Sequence, residues 1–116
     1  PGKWTIKEVL AHLIDTERVF GYRALHFARG DASPLPGFDQ DAWSPTTWAA
    51  GRSLPSVLGE WQAVRRAFLA FAEGLDPELL DRRGIASGRE FSVRAPLFIV
   101  VGHVEYHLAH LREHYL

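Results

Sequence analysis

The chain has 116 residues, of which 47% are hydrophobic and 23% charged, enough apolar material for one domain with its own core. Its 13 basic and 14 acidic residues give a formal net charge of −1, so there is no broad basic surface to attract nucleic acid or anionic lipid. The absence of cysteine excludes a disulfide framework, a thiolate nucleophile and a sulfur-ligated metal.

The N-terminal segment has the pattern of a helix start. Thr5 and Glu8 have the spacing of a capping box, in which each side chain satisfies a free backbone N–H of the other residue. Apolar residues then continue at helical spacing until Gly30, a typical residue at which a helix stops. The sequence therefore predicts a first helix over residues 5–29.

Residues 31–52 contain three prolines and show no sustained hydrophobic period. We predict a long irregular connection here, a kind of segment that is often functional in a small domain. Its aromatic residues Phe38, Trp43 and Trp48 are predicted to pack it against the rest of the molecule.

A second long helix is predicted to begin after Ser53, a favourable N-cap residue, and to end near Gly74. The order Asp76-Pro77-Glu78 then predicts one or two short helical turns. The polar residues 82–91 contain two glycines and predict a turn or a small hairpin. The neighbouring pairs Arg65-Arg66 and Arg82-Arg83 are interpreted as solvated charges.

The last helix is predicted to run from near Ser92 to Leu116. Its apolar residues from Leu97 to Tyr115 alternate by four and three positions, the spacing of a helix packed in a bundle. Strand signals are weak throughout the chain. The predicted fold class is all-α.

Histidine is unusually frequent, with six residues in the chain, four of them on the predicted last helix. His103, His107, His110 and His114 lie within an arc of about 60° on that helix. His103 and His107, four residues apart, can present two imidazoles to one metal ion, and His12 on the first helix is the best candidate for a third ligand. From spacing alone, a metal site and ordinary hydrogen-bonded histidines are both compatible with this pattern.

Other polar residues have candidate roles around such a site. Glu8, Asp15 and Glu105 are candidates to orient a ligating imidazole. The role of general base stays unassigned among four residues: Asp39, Asp41, Glu105 and His110. His26 is predicted to be an ordinary hydrogen-bonded or surface residue, and His110 and His114 to be solvated or to lie behind the ligands.

Three stretches, GKWTIKEVLAHLIDTE, LPGFDQDAW and GHVEYHLAHL, resemble the DinB-like superfamily of metal-binding four-helix bundles, in its DinB_2-type branch. The resemblance covers nearly the whole chain and implies one domain over residues 1–116 with an up-and-down bundle fold. Members of this family characteristically bind a divalent metal, often zinc or nickel, through one histidine on the second helix and two on the last. The matching positions are His12, His103 and His107.

The chain departs from the family pattern in two places. Ala109-His110 stands where relatives commonly have Gly-Gln after the last ligand. The helix that normally precedes the tryptophan-led helix is also missing, which leaves three long helices and an apolar face. Either that helix belongs to a part of the protein outside this sequence, or a partner chain covers the face, in which case we expect a homodimer.

The resemblance implies a metal-dependent enzyme that acts on a small molecule, either a hydrolase or a transferase using a low-molecular-weight thiol such as bacillithiol or mycothiol. The ion would activate water or that thiol. The alternative is a non-catalytic metal-binding or interaction module of a stress response, and a metal-free bundle with a polar seam is a third interpretation. With no membrane span or secretory leader in the sequence, we expect a cytoplasmic protein.

Overall fold

Three long helices carry most of the structure, a computed structural model that describes residues 4–115. The helices are α1 (Ile6–Ala28), the short α2 (Gln40–Trp43), α3 (Leu54–Glu73) and α4 (Arg94–His114). Strands β1 (Arg83–Ala86) and β2 (Arg89–Ser92) form an antiparallel hairpin in which Arg83 lies opposite Ser92. The predicted all-α class is confirmed, and the polar segment 82–91 forms the hairpin that was one of its two predicted structures.

Helix α1 is the central element and packs against both α3 and α4. The Thr5 hydroxyl accepts a hydrogen bond from the Glu8 backbone N–H, and the Glu8 carboxylate accepts one from the Thr5 N–H, so the predicted capping box is present. At the other end Gly30 adopts a φ of +76°, the left-handed conformation that terminates a helix. The predicted first helix is thus confirmed, with Thr5 and Arg29 as its caps.

Two clusters of buried side chains form the core. The first joins α1, α3 and α4 beside the predicted histidine site: Leu10, Leu13, Ile14, Val57 and Val104. The second lies where the hairpin covers the far end of α1: Ala24, Phe27, Ala28, Ala86 and Val93. The hairpin therefore closes one end of the helical body, and His12, His103 and His107 lie toward the other.

Two of the four arginines interpreted as solvated charges are structural. Arg65 donates two hydrogen bonds of 2.8 Å to the carboxylate of Glu17, whose side chain is 1% exposed. Arg82 donates to the backbone carbonyl of Ala28 at the end of α1. The prediction was wrong for Arg65 and Arg82. For Arg65 the reason is that the sequence does not show that an acid on α1 is buried opposite α3.

The connection between α1 and α3 is more regular than predicted. It contains α2 and two 3₁₀ turns, Ser44–Thr46 and Ala49–Gly51. The Asp39 side chain starts α2 by accepting hydrogen bonds from the N–H groups of Asp41 and Ala42. Leu35 pairs with β1 through hydrogen bonds to Ile85 and Ser87, which fixes the first part of the connection against the hairpin.

The aromatic residues of the connection behave differently from one another. Phe38 is half-buried, and its ring centroid lies 4.9 Å from that of Trp43, which is 42% exposed. This contact lies within the connection itself, so it does not test the predicted packing against the rest of the molecule. Trp48 is 79% exposed and adopts a φ of +59°. The prediction that Trp48 packs the connection against the body was wrong, because the left-handed backbone turns its side chain toward solvent.

Helix α4 begins two residues later than predicted. Ser92 pairs with Arg83 in the hairpin, and Val93, whose N–H donates to the Arg82 carbonyl, is the N-cap residue of α4. The helix ends at His114 with Tyr115 as its cap, and Leu116, the predicted last residue, lies outside the described residues. Within residues 4–115, none of the helices is both long and apolar enough to span a membrane.

Candidate metal centre

Three histidines from two helices converge at one point of the bundle. His12 lies on α1, and His103 and His107 lie one turn apart on α4. The Nε2 atom of His103 is 3.0 Å from Nε2 of His12 and 3.1 Å from Nε2 of His107. One ring nitrogen from each residue lies within 4.8 Å of the other two. The structure therefore brings together the three residues that the sequence selected as candidate ligands.

Contacts at the end of the bundle fix the position of His12. The ring of Trp4 meets the His12 ring edge-on, with centroids 5.2 Å apart. The Tyr115 hydroxyl donates a hydrogen bond to the Trp4 backbone carbonyl and so links the end of α4 to the start of α1. On α4, Val100 and Val104 are buried on either side of His103, which directs that helix face toward α1. The convergence therefore follows from the packing of α1 on α4.

The arrangement of the three Nε2 atoms fits a shared cation. A neutral imidazole nitrogen either donates one proton or offers one in-plane lone pair, so Nε2 of His103 cannot serve both neighbours well. Two imidazole nitrogens bound to one tetrahedral zinc ion are about 3.3 Å apart, close to the two separations that His103 makes with His12 and His107. A divalent ion among the rings would satisfy all three lone pairs at once.

The electrostatic environment keeps these imidazoles uncharged at neutral pH. Burial, reinforced by the neighbouring His103 and His107, lowers the pKa of His12 to about 4. Burial and His107 lower the pKa of His103 to about 4, and burial and His110 lower the pKa of His107. The neutral form is the one that binds a metal, so the site does not have to lose protons to bind an ion at pH 7.

A threonine that the sequence analysis did not select lies behind His12. Thr16 Oγ1 is 3.4 Å from His12 Nδ1 and both residues are buried, so an Nδ1–H donated to this hydroxyl leaves the lone pair on Nε2. The i, i+4 spacing of His12 and Thr16 was a signal that could have identified it. Among the described residues, none of the predicted orienting carboxylates Glu8, Asp15 and Glu105 hydrogen-bonds to the three imidazoles.

A cavity of about 460 Å³ opens beside His12 and His103. Its other lining residues are Thr16, Phe20, Phe38, Asp39, Gln40 and Ile99. Of the residues considered as a general base, Asp39 lies in this lining. Its Oδ1 caps α2, which holds the carboxylate in place at the cavity. The arrangement combines a candidate ion site, an apolar wall and one fixed acid.

The remaining histidines lie outside the trio. His26 is buried, with its Nε2 2.8 Å from the Ser33 carbonyl oxygen, so it is the hydrogen-bonded residue that was predicted. The rings of His110 and His114 lie 4.4 Å apart near the end of α4, His110 half-buried and His114 exposed. His110 and His114 therefore continue the row of histidines on α4, but they are not part of the group formed by His12, His103 and His107.

A comparison with known protein families finds one family that matches nearly the whole chain. The DinB superfamily model, DinB_2, matches residues 1–111. The chain belongs to the DinB superfamily. This confirms the resemblance found in the sequence.

Two curated relatives of this DinB-superfamily chain carry provisional names as metal-dependent hydrolases. One, from Oceanobacillus iheyensis, is 28% identical over 115 residues, which cover 96% of this chain and 64% of the relative. The other, from Bacillus licheniformis, is 26% identical over 116 residues, which cover 97% of this chain and 65% of the relative. The chain thus spans a little less than two thirds of the length of these relatives. Among solved structures, none matches it significantly.

Proposed function

We propose that this protein is a metal-dependent hydrolase in which His12, His103 and His107 hold one divalent ion. The observation that carries the proposal is the convergence of three Nε2 atoms beside an open cavity. The provisional names of the two relatives support the same reaction class. Nitrogen ligands suit zinc and nickel, and we propose one of these as the ion.

When bound at these nitrogens, a divalent ion supplies Lewis acidity and lowers the pKa of a coordinated water or thiol. The residues of this chain do the rest. The three imidazoles fix the position of the ion, and the Asp39 carboxylate is placed to take up a proton released in the cavity. Phe20, Phe38 and Ile99 exclude water from that wall and favour the apolar part of a small substrate.

The openness of the site supports catalysis over a structural role. Structural zinc is closed by four protein ligands, whereas catalytic zinc has three and keeps a position for water or substrate. The described residues offer three ligands, and two of these line the cavity. Thiol-dependent transfer is the alternative reaction at the same site, in which a small thiol replaces water. That thiol would come from a second substrate, because the chain has no cysteine.

The proposal also covers the domain, the substrate class, the location and the oligomeric state of the protein. We propose one domain over residues 1–116, a small-molecule substrate and a cytoplasmic location. We also propose a homodimer, supported by the exposed apolar side chains Phe98, Val101 and Tyr106 on α4. Sedimentation at several protein concentrations tests the dimer, and a monomer at every concentration contradicts it.

The reaction is tested with protein reconstituted with zinc or nickel. We expect hydrolysis of small esters or amides that is lost with EDTA. Asp39→Asn should lower kcat by about 100-fold or more with metal content unchanged, because asparagine keeps the α2 cap but cannot accept the proton. Asp41→Asn, on the same short helix, is the matched control and should leave kcat unchanged.

Two outcomes contradict the proposal in different ways. Metal-dependent transfer of a small thiol to an electrophile, without hydrolysis, would replace the hydrolase with a thiol transferase. A metal-loaded protein that turns over neither set of substrates would favour the non-catalytic metal-binding module.

A further inference from the structure

A second cavity, of about 400 Å³, lies along α1 beyond Phe38. Its walls are mostly apolar and aromatic, with Tyr22, Leu35, Phe38 and Trp43 among them. Phe38 also lines the cavity beside His12, so the two spaces adjoin at this side chain. Three charged residues also line this cavity: Asp15, Arg18 and Arg23. Arg18 pairs with Glu60, so Arg23 is the candidate partner for a bound anion.

Arg23 is a buried cation without an acidic partner. The residue is 5% exposed, and its Nη2 donates to the Pro36 carbonyl at 3.2 Å and to the Ser87 hydroxyl at 3.3 Å. Within residues 4–115, no carboxylate lies within ion-pair distance of it, and Nε and Nη1 have no hydrogen-bond partner. Burial of this unpaired charge lowers the pKa of Arg23.

Other arginines of the bundle show what Arg23 lacks. Arg65 forms a bidentate pair with Glu17, and Arg18 and Arg52 both pair with Glu60. A charge removed from water is costly unless an opposite charge and hydrogen bonds compensate for it. Arg23 has two neutral oxygens and the face of Phe20, whose centroid is 4.8 Å from its guanidinium carbon. It therefore retains the capacity to bind an anion.

Arg23 lies on the same helix face as one of the candidate metal ligands. His12, Thr16 and Arg23 lie on one face of α1, because positions i, i+4 and i+11 share a helix face. Eleven residues of helix separate the Cα atoms of His12 and Arg23 by about 16 Å. Phe20 lies between them, lining the cavity beside His12 and contacting Arg23.

We propose that the second cavity binds the carboxylate group of an elongated, largely apolar molecule, with Arg23 as the anion's partner. The Nε–H and Nη1–H groups of Arg23 are not used by other described residues, so carboxylate oxygens in the cavity can accept charge-assisted hydrogen bonds from them. Asp15 also lines the cavity and disfavours a dianion such as a phosphate monoester. That the bound molecule is the substrate rests on the proposed function, whereas its binding to Arg23 does not.

The test compares 4-phenylbutyrate with its neutral amide, using two-dimensional NMR titrations of zinc-loaded and EDTA-treated protein. In both forms the acid should bind about tenfold more tightly than the amide, since a hydrogen-bonded ion pair is lost with the charge. Arg23→Gln should reduce the affinity for the acid to that for the amide. Arg66→Gln, an exposed arginine on α3, is the matched control and should bind the acid as the wild type does.

Equal affinity of acid and amide for the wild type would overturn the proposal without any variant. So would an Arg23→Gln protein that keeps the preference for the acid. If the glutamine variant does not fold, Arg23→Lys preserves the charge and should keep part of the preference for the acid, and a lysine variant that binds acid and amide equally overturns the proposal. Binding of the acid that requires zinc would place the carboxylate on the ion, which overturns this inference and leaves the proposed hydrolase standing.

Discussion

At the scale of single residues, two glycines should respond in opposite ways to an added methyl group. A Cβ on Gly84 in β1 would lie 2.1 Å from Cδ1 of the fully buried Phe27, whereas a Cβ on Gly59 in α3 would meet nothing within 4 Å. Gly84→Ala should therefore destabilise the fold by about 1–3 kcal/mol through overpacking. Gly59→Ala should stabilise it by about 0.5–1 kcal/mol through helix propensity. Urea denaturation measures both, and a Gly84→Ala protein of wild-type stability would contradict the packing at Phe27.

The buried acid on α1 is a second sensitive residue. Glu17→Ala removes one partner of the bidentate pair with Arg65 and leaves the guanidinium without its carboxylate. We expect a loss of about 2 kcal/mol in the free energy of unfolding, because the bidentate hydrogen bonds are lost and the partly buried guanidinium is left unpaired. Arg66→Ala alters the exposed residue next to Arg65 and should change the free energy of unfolding by less than about 0.5 kcal/mol. A loss for Glu17→Ala as small as that of the control would show that the pair is not buried in solution.

At the scale of elements, Glu60 on α3 links that helix to its neighbours. Its carboxylate pairs with Arg52 from the preceding connection and with Arg18 from α1. The hydrogen bond from Arg52, with a further contribution from Arg18, lowers the pKa of Glu60 below its usual value of 4.5. A carboxyl group whose pKa is lowered by folding stabilises the fold above its unfolded-state pKa, and this stabilisation is lost as the pH falls through the folded-state pKa.

Glu60→Gln should therefore matter at neutral pH and not in acid. At pH 7 we expect the variant to be less stable by about 0.5–1 kcal/mol, the scale of a partly exposed ion pair. As the pH falls through the lowered pKa of Glu60, the wild-type carboxyl is protonated as well, so the two stabilities should converge. Chemical denaturation between pH 2.5 and 7 measures the difference, and a constant gap across this range would contradict an electrostatic role for Glu60.

The elements also show which local signals are strong in the sequence. The capping box of Thr5 and Glu8 and the positive φ of Gly30 depend on neighbouring residues, so both ends of α1 could be predicted. The start of α4 could not, because Ser92 is held by its strand pairing with Arg83, which is set by the hairpin. The short α2 was missed since its four residues are too few to show a helical period.

At the scale of the whole molecule, an ion at the candidate centre would tie α1 to α4. A ligand that binds only the folded state stabilises it by about 2.7 kcal/mol at a concentration 100 times its Kd. For a chain of this size that corresponds to a rise in Tm of several degrees. Zinc or nickel should produce this rise in the wild type and not in His12→Ala, and an equal rise in both proteins would place the binding elsewhere.

The candidate site was predictable in part. The i, i+4 spacing of His103 and His107 is a local signal, and their meeting with His12 required only that α1 and α4 be neighbours. Burial of polar residues depends on which helix faces lie together, so the roles of Glu17 and Arg23 could not be predicted from spacing. Thr16 could have been identified from its spacing with His12, whereas only packing distinguishes Asp39 from the other candidate bases by placing it at the cavity.

The most direct test of the central claim is the metal content of the purified protein. Elemental analysis after gel filtration should find about one zinc or nickel ion per chain in the wild type and in His114→Ala, which alters a histidine of α4 outside the trio. His103→Ala, which removes the nitrogen that lies between the other two, should retain less than about a tenth of that amount. Equal metal content in the wild type and His103→Ala would contradict the three-histidine centre.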